Sequence, residues 1–176
     1  MSALFLVLVM LLPFALPSRS FAQKQWVVDG NGPADYNTIQ KAINVASDGD
    51  TILVRAGTYN STIVNKNLQI IGDGSNGKVN YGIRIASLEF TGVHSGLVQS
   101  LYSPSITVDS ASNVEFDWVG GIYTLQNVRD IKILAGLGSI QANNATHFLV
   151  QDFNGPLTAT LLNSTSVVNL AGDYDL

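Results

Sequence analysis

NLQIIGDG at 67–74, SLEFTGVH at 87–94, NVEFDWVG at 113–120, DIKILAGL at 130–137, HFLVQDFN at 147–154 and SVVNLAGD at 166–173 are six versions of one pattern, spaced by 20, 26, 17, 17 and 19 residues. Each opens on a polar residue or His, continues with an apolar one and then largely alternates. Alternation at period two gives a strand with one buried face. The buried row is expected to be Leu68, Leu88, Val114, Ile131, Phe148 and Val167, with Gln69, Glu89, Glu115, Lys132, Leu149 and Val168 pointing outward. A second, shorter strand is expected ahead of most of these segments, at 83–85, 106–108, 123–125, 140–142 and 159–161.

Two strands per repeat predict coils. The turns between paired strands carry Asn127, Asn143-Asn144 and Asn163-Ser164. Asn tolerates left-handed backbone angles, and its amide can bond the equivalent amide one coil away, so a column of Asn makes the corner and fixes the register. The pattern therefore predicts an all-β parallel solenoid whose coils stack about 4.8 Å apart around an aliphatic core. An antiparallel sandwich also alternates, but it needs tight hairpin signals between neighbouring strands, and these are few.

Ahead of the repeats, Asn37 and Gln40 form a capping-box-like start, and Ile39, Ala42, Ile43 and Ala46 share one face at helical spacing. Asp48-Gly49-Asp50 ends this helix, and a strand begins over 51–54. Such a helix would cover the apolar end of the first coil. The stretch Asp35-Tyr36-Asn37-Thr38-Ile39-Gln40-Lys41-Ala42-Ile43, with Asp48-Gly49-Asp50-Thr51-Ile52, Ala56-Gly57-Thr58-Tyr59 and Lys66-Asn67-Leu68-Gln69-Ile70-Ile71-Gly72, resembles the N-terminal region of the pectin lyase-like superfamily. The similarity is greatest to pectin methylesterases and bacterial surface β-helix proteins. It implies a right-handed parallel β-helix with a short N-terminal capping α-helix, and it says little about chemistry.

The composition narrows the function classes. With 46% hydrophobic and 12% charged residues the chain is expected to fold, and the absence of cysteine excludes disulfide scaffolds, thiol catalysis and cysteine-ligated zinc. Residues 3–16 form an apolar run broken only by Pro13, followed by Ser20-Phe21-Ala22. This predicts a signal peptide over 1–22 and one exported domain over 23–176, secreted or held at the cell surface, with no membrane partner after cleavage. Removing Arg19 leaves eight basic against thirteen acidic residues, the basic ones scattered singly, which argues against nucleic acid as a partner. Asn60, Asn144 and Asn163 stand in N-x-S/T sequons, although turn chemistry alone accounts for two of them.

The resemblance implies specific catalytic groups. Methylesterases of the superfamily would use two aspartates, an arginine and glutamines. Gln151-Asp152-Phe153 echoes one family motif, but Asp117-Trp118-Val119-Gly120 precedes it where its counterpart should follow, and no Arg occurs after Arg129. A hydrolase would need paired carboxylates on one face, for which Glu115 and Asp117, two apart in one strand, are the candidates together with Asp130. A lyase would need acids, a bound calcium ion and a base such as Arg129 near Lys132. Ordinary solvation and a Glu115–Lys132 ion pair explain the same residues. The loop from Asp29 to Asp35 departs from the EF-hand pattern at Pro33 and reads as a turn, so no metal site is assigned. His94 lies in the longest interval between repeats, and His147 occupies a turn position.

Trp118, Tyr123, Tyr102 and Phe153 could stack on sugar rings from the surface or equally serve as core or coil-packing residues; Trp118 and Tyr123, with Lys132 and Gln151, are the binding candidates. The expected function is binding of an extracellular polysaccharide, pectin-like in the family's manner, without catalysis and without a cofactor. The alternatives are a carbohydrate-active enzyme using Asp117 with Glu115, Asp130 or Arg129, calcium entering only in its lyase form, and a structural or adhesive surface protein. The last segment, 171–176, offers no capping helix, so self-association through that end is a further expectation.

Overall fold

A computed structural model describes residues 23–74, 77–160 and 167–168 and shows a parallel β-solenoid of about six turns. Among the described residues every strand pair is parallel. Strands Gln25–Val28, Thr51–Val54, Gln69–Gly72, Lys132–Leu134, Leu149–Gln151 and Val167–Val168, with the opening residues of Gly96–Asp109 and Val114–Arg129, form a first face. Gly57–Tyr59, Ile83–Ile85 and the middles of the two long strands form a second. Thr62–Val64, Leu88–Thr91, the ends of the long strands, the strand Leu137–Thr146 beyond its opening residues, and Leu157–Thr160 form the third.

Equivalent side chains stack from coil to coil inside this tube. On the first face the inward column runs Ile52, Ile70, Val98, Phe116, Ile133, Val150, all fully buried. On the third it runs Thr62, Leu88, Ile106, Tyr123, Ile140. Phe90, Phe116, Tyr123 and Phe153 meet edge to face across the interior, with ring centroids 5.4, 5.4 and 6.0 Å apart. This is the arrangement that opposed ring quadrupoles favour.

Two expectations about the repeat are corrected. SLEFTGVH belongs to the third face, so Leu88 stacks on Thr62 and Ile106, and Gly96 takes the slot between Leu68 and Val114. Val167 pairs with Leu149 and Val168 with Val150, one residue out of the expected register. The physical reason is that every strand of a solenoid carries the same inward–outward alternation, which therefore does not reveal the face. True equivalents recur at 17 or 18 residues, except across the circuit that carries the helix, where Gln25 and Thr51 are 26 apart, and between Gln69 and Leu97, which are 28 apart. In the latter the extra length lies in the segment 73–82.

Corners account for the short coil. Asn113, Asp130 and His147, then Ser110, Asn127 and Asn144, and then Ser100, Trp118, Ala135 and Asp152 form three columns in which each residue has φ near 50°. The expected amide column is present: Asn144 Nδ2 donates to Asn127 Oδ1 at 2.9 Å, and Asn127 Nδ2 donates to Asp109 Oδ1 at 3.2 Å. Asn163 lies outside the described residues. A fourth corner is a glycine column, Gly121, Gly138 and Gly155, where a Cβ on Gly138 would sit 1.8 Å from the carbonyl oxygen of Gly121. Coils approach so closely there that no other side chain fits.

The first coil is closed by helix Ile39–Val45, which buries Ile39, Ala42 and Ile43. Thr38, rather than Asn37, is its N-cap, accepting from the Lys41 amide at 3.3 Å. The edge strand is sealed by its own loop: the Val27 amide donates to Asp35 Oδ2, and the Val27 carbonyl accepts from the amides of Asp35 and Tyr36. Asp50, 6% exposed, ties helix to sheet by accepting from the Lys24 amide at 2.9 Å, the Ser47 amide at 2.9 Å and Trp26 Nε1 at 3.0 Å. Residues 1–22 and 169–176, which carry the signal-peptide and end-association expectations, lie outside the described residues.

Burial raises the pKa of Asp50, but its donors, chiefly the Ser47 amide, outweigh that and hold it below the usual carboxylate range. A depressed folded value means that this stabilisation is present above the unfolded-chain value and lost as pH falls through the folded one. Asp50→Asn should lower stability at neutral pH by about 2–3 kcal/mol in urea titrations, with the gap to wild type narrowing in acid. Gly138→Ala should cost at least about 3 kcal/mol in the same assay.

Candidate functional site

Of the expected site residues, Glu115, Asp130 and Lys132 line one surface groove and Trp118 lines another. Parallel register puts Lys132 directly beside Glu115, and their ion pair spans 3.4 Å, as the outward row implied. The adjacent left-handed corner aligns Asn113, Asp130 and His147. Asp130 is held from both sides, by Arg129 Nε at 3.1 Å and by His147 Nδ1 at 3.1 Å. Leu149 completes this groove of about 280 Å³. Its acids therefore face cations or a ring nitrogen of the same protein, and the left-handed backbone of His147 agrees with its expected turn position.

Asp117 does not join Glu115 in this groove. Its carboxylate accepts from Gln99 Nε2 at 2.8 Å, one coil away. Gln151 lies two coils further along the same outward column, its amide 3.3 Å from Asp152 Oδ2. The expected Glu115–Asp117 pair is thus two separately satisfied carboxylates. Tyr123 is corrected outright: it is a core residue, fully buried, with its hydroxyl donating to the Val119 carbonyl at 2.9 Å. Burial pushes its phenol well above the usual range. Its alternation with outward Ile122 and Thr124 carried the signal, since only an inward position on the third face satisfies the stack. Phe153 is buried as well.

Trp118 lies in the second and larger groove. Residues 77–82 lie over the second face, where Gly120 makes room for them: a Cβ there would come within 3.1 Å of both Val79 and Tyr102. Tyr81 packs on Tyr102 at 5.4 Å, and the Arg84 guanidinium covers the Tyr102 ring at 4.7 Å. Between this segment and the corner column runs a groove of about 600 Å³, lined among others by Lys78, Tyr81, Trp118, Leu137, Asp152 and Asn154. Tyr81 is 50% exposed and Trp118 half-buried. A bulky residue at φ 54° is an uncommon conformation for its type.

Lys78, Tyr81 and Asn154 were not anticipated. The visible clue was the long interval, but the unequal repeat spacing placed it at His94. That residue instead sits at an ordinary corner, its amide donating to Asn67 Oδ1 and its ring 3.3 Å from Ser112. In the Asp29–Asp35 loop, Asp29 accepts from the Asn31 amide and faces Arg55 at 3.4 Å, which together hold its carboxyl below the usual range. Among the described residues no three His, Asp or Glu side chains are grouped to hold a metal ion, and no helix is long and apolar enough to cross a membrane. No protein-family model, curated protein or solved structure matches this chain.

The Glu115–Lys132 pair is exposed and screened, so a Glu115→Gln, Lys132→Met double-mutant cycle should give a coupling below about 1 kcal/mol. A coupling well above that would mean the groove is held electrostatically.

Proposed function

We propose that the chain is an exported β-solenoid of the pectin lyase-like kind that binds extracellular polysaccharide along the groove between the 77–82 segment and the corner column of Trp118. One observation carries this reading: Trp118, held with φ at 54°, faces an open groove beside half-exposed Tyr81, with polar groups of Lys78, Asp152 and Asn154 around it. Aromatic faces stack on the apolar faces of sugar rings, while amide and charged groups at the rim take hydroxyls. The left-handed corner that Trp118 shares with Ser100, Ala135 and Asp152 places a partly solvated aromatic at the groove.

Binding without catalysis is favoured because the candidate acids are already engaged: Glu115 with Lys132, Asp130 with Arg129 and His147, Asp117 with Gln99. The enzyme alternative rests on the smaller groove, where Glu115, Asp130 and His147 share one opening.

Affinity electrophoresis of purified protein in polysaccharide gels, with assay of released uronic acid and methanol, separates the two. Retention without product release is expected. Trp118→Ala should weaken retention about tenfold or more, the loss of a stacking contact of about 1–2 kcal/mol. This variant should fold, since Ala135 occupies the same left-handed slot one coil on. Glu89→Gln, on the third face, should leave retention unchanged. Product release abolished by Glu115→Gln would establish the enzyme instead.

A further inference from the structure

Resting on that reading, we infer that the polysaccharide held by the Trp118 groove is an uncharged one, gripped by ring stacking and hydroxyl hydrogen bonds, and not a polyuronate. A polyanion needs clustered, available cations, because its binding energy comes largely from neutralising a line of charge. The chain carries nine basic residues against thirteen acidic ones.

Almost every cation among the described residues is committed elsewhere. Arg55 faces Asp29 and Asp73, Arg129 faces Asp130, and Lys132 faces Glu115. Lys66 donates to the carbonyls of Ile43, Asn44 and Ala46 at the end of the helix. Lys24 lies over the Trp26 ring at 3.4 Å, Lys41 donates to Asn37, and Arg84 covers Tyr102. Lys78 is the cation that lines the groove, and Asp152 on the opposite wall balances its charge.

What remains in the groove is neutral. Trp118, Tyr81, Val79 and Leu137 offer apolar surface, and Asn154 offers an amide. The corner residues Trp118, Ala135 and Asp152 belong to three successive coils, so the groove crosses the strands over about 10 Å, room for about two sugar rings. An acidic sugar at each step would meet one lysine and one carboxylate. An uncharged chain meets no repulsion and keeps its stacking contact.

Isothermal titration of the exported protein with cellohexaose, mannohexaose, chitohexaose and hexagalacturonate tests this directly. At least one neutral hexasaccharide should bind more tightly than hexagalacturonate. Its affinity should change less than about twofold between about 0.05 and about 0.5 M salt, since stacking is not screened. Trp118→Ala, with its fold checked by circular dichroism, should weaken it about tenfold or more. Tighter binding of hexagalacturonate that falls steeply with salt would overturn the uncharged ligand while leaving polysaccharide binding intact. Neutral binding indifferent to Trp118→Ala would overturn the groove as its site. Binding of none of the four, with no retention on polysaccharide gels, would overturn the functional reading itself.

Discussion

Parallel hydrogen bonding between successive coils is the constraint from which the rest of this structure follows. It holds neighbouring strands about 4.8 Å apart, so each side chain must be compatible with the one directly above and below it. Inward columns become continuous aliphatic and aromatic stacks, and the edge-to-face chain from Phe90 to Phe153 is one result. Corner columns must hold left-handed backbone, which Asn and Asp do at low cost and Gly alone does where coils nearly touch. The same constraint makes the surface: outward neighbours in a column meet whether or not they attract, and Glu115 with Lys132 or Asp117 with Gln99 are pairings set by register.

Such a tube has two ends that could each pair with another strand. At the N-terminal end the hazard is met twice, by the helix over the core and by the Asp35 carboxylate on the Val27 amide. Asp50 joins the two devices, its carboxylate bonded to the strand entrance through Lys24 and Trp26 and to the helix exit through Ser47. Strand-edge protection and core closure are therefore parts of one hydrogen-bonded unit.

The architecture was legible in the sequence because alternation, Asn corners and an amphipathic helix all point to stacked coils. The phase of the stack was less so. Leu88 and Leu68 carry the same local pattern, and nothing within eight residues distinguishes first face from third. The second face was seen only at 83–85, which was grouped with third-face strands such as 106–108, because strands such as Gly96–Asp109 turn the corner at Ser100 without an interruption that sequence would mark. Of the candidate site, the Glu115–Lys132 neighbourhood was legible because it depends on register alone. The Trp118 groove was not, since its far wall comes from 77–82, whose path over Gly120 depends on a missing side chain. Tyr123 failed as a surface residue because a hydroxyl conceals how apolar its position is.

The 17-residue step has a consequence for how such a molecule can change size. Asn127 to Asn144 and Asp130 to His147 differ by that same interval. Corner, core and surface positions therefore all return to phase together after one circuit. Duplicating or deleting a whole circuit would leave every storey above and below in step, while a single-residue difference is absorbed inside the wall, as between Ser103 and Ile106, where the interval to the next coil drops from 18 to 17. Length in this protein therefore changes by whole circuits or by such small shifts, and the interval of 28 between Gln69 and Leu97 shows where more chain is accepted outside the wall.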